Sequence, residues 1–308
     1  MNIINLLNAL PGAVAQGLIW GIMAIGVYIT FRILDIADLT VDGTLCTGGA
    51  VCIMMMQSGQ NVWVALTAAL AAGMLAGMAT GILHTFMGIP AILSGILTQL
   101  GLYSVNLKIM GKANQAINVD KFDLLVSLRY IKGVPFYRNT ILLVAVIIFI
   151  LIAVLYWFFG TELGCSIRAT GSNPHMSRAQ GINTDRNKIL GLMLSNGIVA
   201  FSSGLFAQYQ GFADINAGRG AIVIGLAAVI IAQVLFGRIR GNFAFKLFSV
   251  AMGGVVYYLV LQVVLWLGLN ANDLKLISAV IVAVFLSIPH LKEKYFSHPV
   301  RKGGDSRA

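Results

Sequence analysis

The chain is 308 residues long, 58% hydrophobic and only 10% charged, with a formal net charge of +10. Soluble domains carry roughly a quarter charged residues, so this much apolar side chain cannot be hidden in one water-soluble core; the composition defines an all-α polytopic membrane protein with no soluble domain left over. The basic residues are scattered through short loops and the tail, which fits membrane topology and anionic lipid and excludes nucleic-acid binding.

A crossing helix needs about 20 apolar residues. Residues 1–10 are uncharged and lack the basic region of a secretory leader, so the amino terminus is expected to be retained. The first span covers residues 10–31, interrupted by Gln16 and closed by Arg32. Asp35, Asp38 and Asp42 then punctuate the run RILDIADLTVDGTLCTGG before a short second span, 44–57. A third span, 61–87, carries Gly73, Gly77 and Gly81 at every fourth position, one smooth face for close helix contact. The fourth, 91–110, holds Ser94, Thr98, Gln99, Ser104 and Asn106, which suit a bundle interior or a pathway better than lipid.

Residues 112–139 are polar and mixed in charge, an external loop with a short amphipathic helix expected over 122–130. Spans follow at 140–159, 190–208, 221–236, 243–267 and 274–289, before a basic tail over 291–308. The 16-residue segment 221–236 is short enough to be re-entrant or broken. About 8–10 transmembrane segments result, some short or broken, in a single transmembrane domain covering 1–308. Placing 161–189 and the tail inside puts 13 of the 21 Lys and Arg on the inner side and the amino terminus outside, with a cytoplasmic carboxy terminus. Six of the outer cations cluster around the 112–139 loop and weaken that asymmetry without reversing it.

The longest polar interruption, 161–189, reads TELGCSIRATGSNPHMSRAQGINTDRNKI. Asn173 can cap orphan amides, Pro174 suits the first helical position and Gly181 supplies a left-handed stop, so a helix of about two turns is expected there. Such a helix is too short to stand alone in water and needs a surface to pack on, its own membrane domain or a partner. The plain alternative is an ordinary solvated loop.

No enzyme constellation is present in the sequence. His84, His175, His290 and His298 are far apart and have no metal-site companion, and Gly111-Lys112 lacks the glycine spacing that wraps phosphate, so the chain cannot bind ATP in that way. Neither a cofactor nor a metal is implied. Cys46, Cys52 and Cys165 read as packing residues. The aspartates are harder to dismiss, because a charged group deep in a bilayer costs roughly 2.5–3.5 kcal/mol on insertion scales. One reading makes Asp38 and Asp42, with Gln99 and Asn106, the lining of a translocation path. The other has Asp38 or Asp42 capping the helix that follows. A faint internal repeat accompanies them: Ala37-Asp38-Leu39 and Ala213-Asp214-Ile215 lie 176 residues apart, with Gly49 and Gly225 in register. In the topology above the two copies face opposite sides, as inverted repeats require.

The 161–189 segment resembles the cytoplasmic loop of the membrane permeases of bacterial ABC importers, the branched-chain amino acid and ribose permease superfamily. Thr161, Leu163, Gly164, Ile167, Arg168, Ala169, Gly171, Asn173, Ala179, Gly181, Ile182 and Asn183 carry the likeness, and the flanking hydrophobic segments extend it over most of the chain. The resemblance implies a type II ABC importer-like fold in the bacterial inner membrane. It also implies that Arg168, Asn173, Pro174, His175, Met176, Arg178 and Gly181 dock a separate ABC ATPase subunit. Further implied partners are an extracytoplasmic substrate-binding protein and a second permease copy, in a homodimer or with a related permease. ADLTVDG is similar to the subgroup associated with aromatic amino acids such as tryptophan or tyrosine. The rival from another class is a secondary transporter driven by an ion gradient through Asp35, Asp38 and Asp42.

Overall fold

The computed structural model describes residues 3–119, 121–122, 124–131, 139–237, 239, 241–267, 276, 279–280, 282–284 and 287. The expected tail over 291–308 lies outside them, as do Arg238, Arg240, residues 132–138 of the external loop and most of the expected span 274–289. Ten α-helices are present among the described residues: α1 (Ile3–Tyr28), α2 (Thr40–Gln57), α3 (Val62–Thr85), α4 (Ala91–Met110), α5 (Thr140–Gly160), α6 (Glu162–Ser172), α7 (Pro174–Ala179), α8 (Thr184–Gln210), α9 (Ala221–Phe236) and α10 (Phe243–Trp266). Two short strands, β1 (Asn114–Ala116) and β2 (Phe212–Asp214), pair antiparallel with Gln115 opposite Ala213. Among the described residues five helices, α1, α3, α5, α8 and α10, are long and apolar enough to cross a membrane.

Helix ends follow local chemistry. Asn61, Asn139 and Asn183 each accept a backbone N–H at the start of α3, α5 and α8, at 3.2, 3.0 and 3.1 Å. Gly111 and Gly211 close α4 and α8 in the left-handed region, at φ 69° and 80°. Several starts lie earlier than hydropathy indicates. α1 begins at Ile3 with Pro11 inside it, α2 at Thr40, whose N–H is taken by Asp38, and α8 at Thr184, where the Asn183 cap extends the helix through a polar first turn beyond its apolar stretch.

The amphipathic helix expected over 122–130 does not form; among the described residues of that stretch a single 3₁₀ turn, Leu128–Ile131, is present. Leu124 and Val126 are buried against the bundle and their neighbours' backbone groups are taken by side chains. Leu125 N–H donates to Gln208 Oε1 at 3.2 Å, and Thr140 Oγ1 donates to the Ser127 carbonyl at 2.9 Å. With those partners met elsewhere, a helical ladder has nothing to add.

The bundle closes around α8, on which the glycine stripe of α3 lies. A Cβ built on Gly73 would overlap the Asn196 carbonyl, one on Gly77 the Leu192 carbonyl, and one on Gly81 would come within 2.9 Å of Ile189. On the other side of the molecule α10 packs on α1 in the same way, with the Gly17 position 2.7 Å from Val255 Cα and that of Gly21 2.8 Å from the Ala251 carbonyl. Lipid supplies no hydrophobic drive for such pairings, so close backbone approach and polar bonds carry them.

The two halves are related by the 176-residue offset. Ser195 Oγ donates to the Gly26 carbonyl and Ser202 Oγ to the Ile19 carbonyl, both at 2.7 Å, and each pair is the other's counterpart under that shift. Gly49 of α2 packs on Ser203, while Gly225 of α9 packs on Val27. Asp38 and Asp214 form the same turn, Oδ1 accepting the N–H two residues on at 2.9 and 3.0 Å. α1 and α8 therefore run antiparallel through an inverted repeat, and α2 and α9, both short, start where Gly218 meets the carbonyl of its counterpart Asp42.

Because overpacking a helix contact costs about 1–3 kcal/mol, Gly77→Val should lower the midpoint of thermal unfolding of the purified protein. Gly101→Val should not, since a Cβ at Gly101 meets nothing within 4 Å. Equal midpoints for both variants would mean that α3 and α8 are not in backbone contact.

Candidate functional site

Two regions gather the residues that sequence reasoning singles out: the start of α2 inside the bundle, and α6–α7 at the end of the molecule opposite β1–β2. At the first, the chain leaves α1 through a π-helical turn, Ile29–Ile33, and Asp35 adopts φ 55°, a left-handed conformation that aspartate tolerates better than most residues. Asp35 is exposed and Asp38 is buried, at 2% exposure.

Asp38 Oδ1 accepts the Thr40 N–H at 2.9 Å, and Oδ2 accepts from Asn196 Nδ2 at 2.7 Å. Asn196 in turn donates to the Leu192 carbonyl at 3.0 Å and accepts from Thr44 Oγ1 at 2.8 Å. Thr40 Oγ1 pairs with Thr80 Oγ1 at 2.6 Å, and Thr80 with Thr98 Oγ1 at 2.9 Å. One continuous polar chain thus links α2, α3, α4 and α8 in a region otherwise apolar. A charge there is tolerable only with such donors.

Asp42 does something the sequence does not disclose. It lies in the first turn of α2, yet its carboxylate caps a different helix: Oδ2 accepts the Gly220 N–H at 3.0 Å and Oδ1 the Ile222 N–H at 2.9 Å, at the start of α9. One negative charge therefore faces two helix N-termini, where macrodipoles favour it. Close by, Cys46 Sγ donates to the Ile215 carbonyl at 3.0 Å and accepts the Gly218 N–H at 3.3 Å, fixing the loop that leads into α9.

Asp42 also lines a cavity of about 300 Å³ with Gly43, Cys46, Gln99, Leu100, Tyr103, Asn106, Ile215 and Arg219. Of the four predicted path residues, Asp42, Gln99 and Asn106 come together here. Asp38 is not among the lining residues; its carboxylate is enclosed by Thr40 and Asn196. Sequence reasoning missed Asn196, Thr80, Tyr103 and Arg219. Asn196 and Thr80 bond residues 158 and 40 positions away, and only their polar character inside apolar spans signalled them.

At the second region Asn173 Oδ1 accepts the N–H groups of His175 and Met176, both at 3.1 Å, Pro174 occupies the first turn of α7, and Gly181 has φ 81°. Ser177 anchors α7 as its buried residue, while Asn173, His175, Met176 and Arg178 are exposed. Arg178 bonds Thr184 Oγ1 through Nε at 2.8 Å and lies 3.6 Å from Asp185. Arg168 belongs to α6, a helix that the polar sequence hid, and its guanidinium sits 5.6 Å from the Phe243 ring of α10. α6 is seated by Gly171, whose Cα lies against the Ile33 carbonyl, and by Asn187 Nδ2 donating to Thr170 Oγ1 at 3.0 Å.

Two inverted halves, short helices meeting head to head inside the bundle and long apolar helices around them define a multi-pass membrane permease. The chain belongs to the family described as branched-chain amino acid transport system, permease component, which matches residues 10–288. It is 36% identical over 285 residues to a tyrosine transport system permease protein of Clostridioides difficile, covering 92% of each chain. It is 29% identical over 255 residues to the fructose import permease protein FruF of Bifidobacterium longum, covering 80% of this chain and 68% of that one. Among solved structures, PsaBC from Streptococcus pneumoniae in complex with Fab shares the fold, with a TM-score of 0.54 at 16% identity over 95% of this chain and 100% of that one. The protein is thus the membrane permease of an ABC transporter.

If Asp42 holds the start of α9, Asp42→Ala should cost roughly 1 kcal/mol locally and raise hydrogen exchange at residues 220–222 about fivefold. Asp42→Asn, which keeps one acceptor and loses the other, should fall between Asp42→Ala and the parent protein. Unchanged exchange in Asp42→Ala would exclude the cap.

Proposed function

We propose that this permease imports an amino acid with an aromatic side chain, driven by ATP hydrolysed on a separate ATPase subunit. The observation that carries the substrate reading is the 36% identity, over 92% of both chains, to a permease named for tyrosine transport. The coupling reading rests on α7: six residues long, capped at its start, closed by Gly181 and exposed at Asn173, His175, Met176 and Arg178. A helix of that length gains little by itself and is held out from the bundle by specific caps. Met176, 58% exposed at its apex, suits a hydrophobic cleft on a partner. Arg168, packed against Phe243, orients α6 from behind.

In this reading 161–189 and the carboxy terminus are cytoplasmic, the β1–β2 end receives substrate from an extracytoplasmic binding protein, and two copies of the chain form the path. α4 offers a surface for the second copy, because Leu93, Leu97 and Leu100 are 47%, 44% and 65% exposed and Leu100 also lines the Asp42 cavity. ATP-driven closure of the ATPases would move α7, and with it the α6 contact to Ile33 just before the Asp38 turn. The ion-gradient alternative loses its motive at two of its three aspartates, since both oxygens of Asp38 and of Asp42 are held by backbone and amide donors.

Pro174→Gly loosens the first turn of α7, and Gly181→Val forces a β-branched residue into a left-handed position at roughly 1–2 kcal/mol. Both variants should insert normally but lose ATPase co-purification and uptake. Full complex recovery with full uptake in both would reduce α7 to a connector.

A further inference from the structure

The 300 Å³ cavity contains a side chain with an unmet demand. Asn106 is completely buried, with its Nδ2 donating to the Gly43 carbonyl at 3.4 Å. Its Oδ1 then has no hydrogen-bond partner among the described residues. A buried acceptor left unpaired costs about 1–3 kcal/mol, and folded proteins rarely keep one without a use. An amide oxygen accepts only from donors, so it selects an N–H or O–H group and rejects an anion.

The remaining walls narrow the class of donor. Both Asp42 oxygens are engaged by α9 amides, so the carboxylate contributes negative charge near Asn106 rather than a free bonding position. Arg219 is exposed, forms no ion pair among the described residues, and offers a planar fork suited to a carboxylate. Tyr103, 43% exposed, supplies an aromatic wall. The volume lies at the lower end of the roughly 300–1,000 Å³ of small-molecule sites.

We propose that this cavity is a transit site for a zwitterionic aromatic amino acid, with Asn106 Oδ1 accepting from the ammonium group, Arg219 pairing with the carboxylate and Tyr103 facing the ring. The assignment rests on the amino-acid reading above and adds the contacts that a substrate meets inside the permease itself.

The test uses proteoliposomes containing the permease with its ATPase and binding protein, supplied with radiolabelled L-tyrosine and L-tryptophan. The readout is uptake per ATP hydrolysed, which normalises for assembly. Asn106→Leu and Arg219→Gln should each lower that ratio by about tenfold, the scale of one hydrogen bond to a charged group. A ratio within about twofold of the parent protein for either Asn106→Leu or Arg219→Gln removes the transit site, even though the parent still carries amino acids. Should Asn106→Leu fail to assemble, the exposed Arg219→Gln decides alone. If the parent complex takes up neither probe with ATP, the amino-acid reading itself falls, and the transit site with it.

Discussion

Two helices begin inside an apolar slab, and almost everything else in the molecule answers to that constraint. The first turns of α2 and α9 expose N–H groups that have no intrahelical partner and no water to meet them. Asp42 resolves the problem across the repeat by sitting in the first turn of α2 and accepting from Gly220 and Ile222 of α9. The position equivalent to Asp42 in the second half is Gly218, and a Cβ there would collide with the Asp42 backbone. The two halves are therefore alike in path and unlike in chemistry where they touch. Asp38, held by Thr40 and Asn196, secures the other side of the same junction, and α8 carries the serines that tie it to α1.

Much of this was legible in the sequence, for different reasons at different places. Hydropathy located the spans because lipid demands apolar length. The Gly73, Gly77 and Gly81 stripe announced a close contact, and α8 is the helix that receives it. Capping chemistry over Asn173, Pro174 and Gly181 described α7, since caps act within a few residues. The faint repeat around Asp38 and Asp214 had a structural cause. What stayed hidden depended on distant partners. A cap in which a carboxylate of α2 accepts from the start of α9 spans 178 to 180 positions and leaves no local trace. α6 escaped because its buried face is only Gly164, Ile167 and Thr170, too weak an apolar pattern to read as a helix. The helix expected over 122–130 failed for the converse reason: its amphipathic spacing was real, but Gln208 and Thr140 offered that backbone better partners.

The two regions of interest are joined by α8. Its first turn takes Arg178 from α7 through Thr184 and holds α6 through Asn187, and its middle holds Asp38 through Asn196. A single stiff element thus touches both the proposed docking helix and the junction of the two halves. α6 adds a shorter route, through Gly171 on Ile33, to the segment that enters the Asp38 turn. Such an arrangement suits a permease whose power stroke arrives from outside the chain. It gives a carboxylate-based ion relay little room, because Asp38 and Asp42 are occupied with helix starts.

The central claim is that ATP on a partner subunit, not an ion gradient through these aspartates, powers transport. Uptake of labelled L-tyrosine should be measured in proteoliposomes of the complete complex, loaded with ATP and treated with ionophores that collapse proton and sodium gradients. Uptake that persists under ionophore and stops when ADP replaces ATP is the predicted result. Uptake that survives without ATP and vanishes with the gradient would contradict the account.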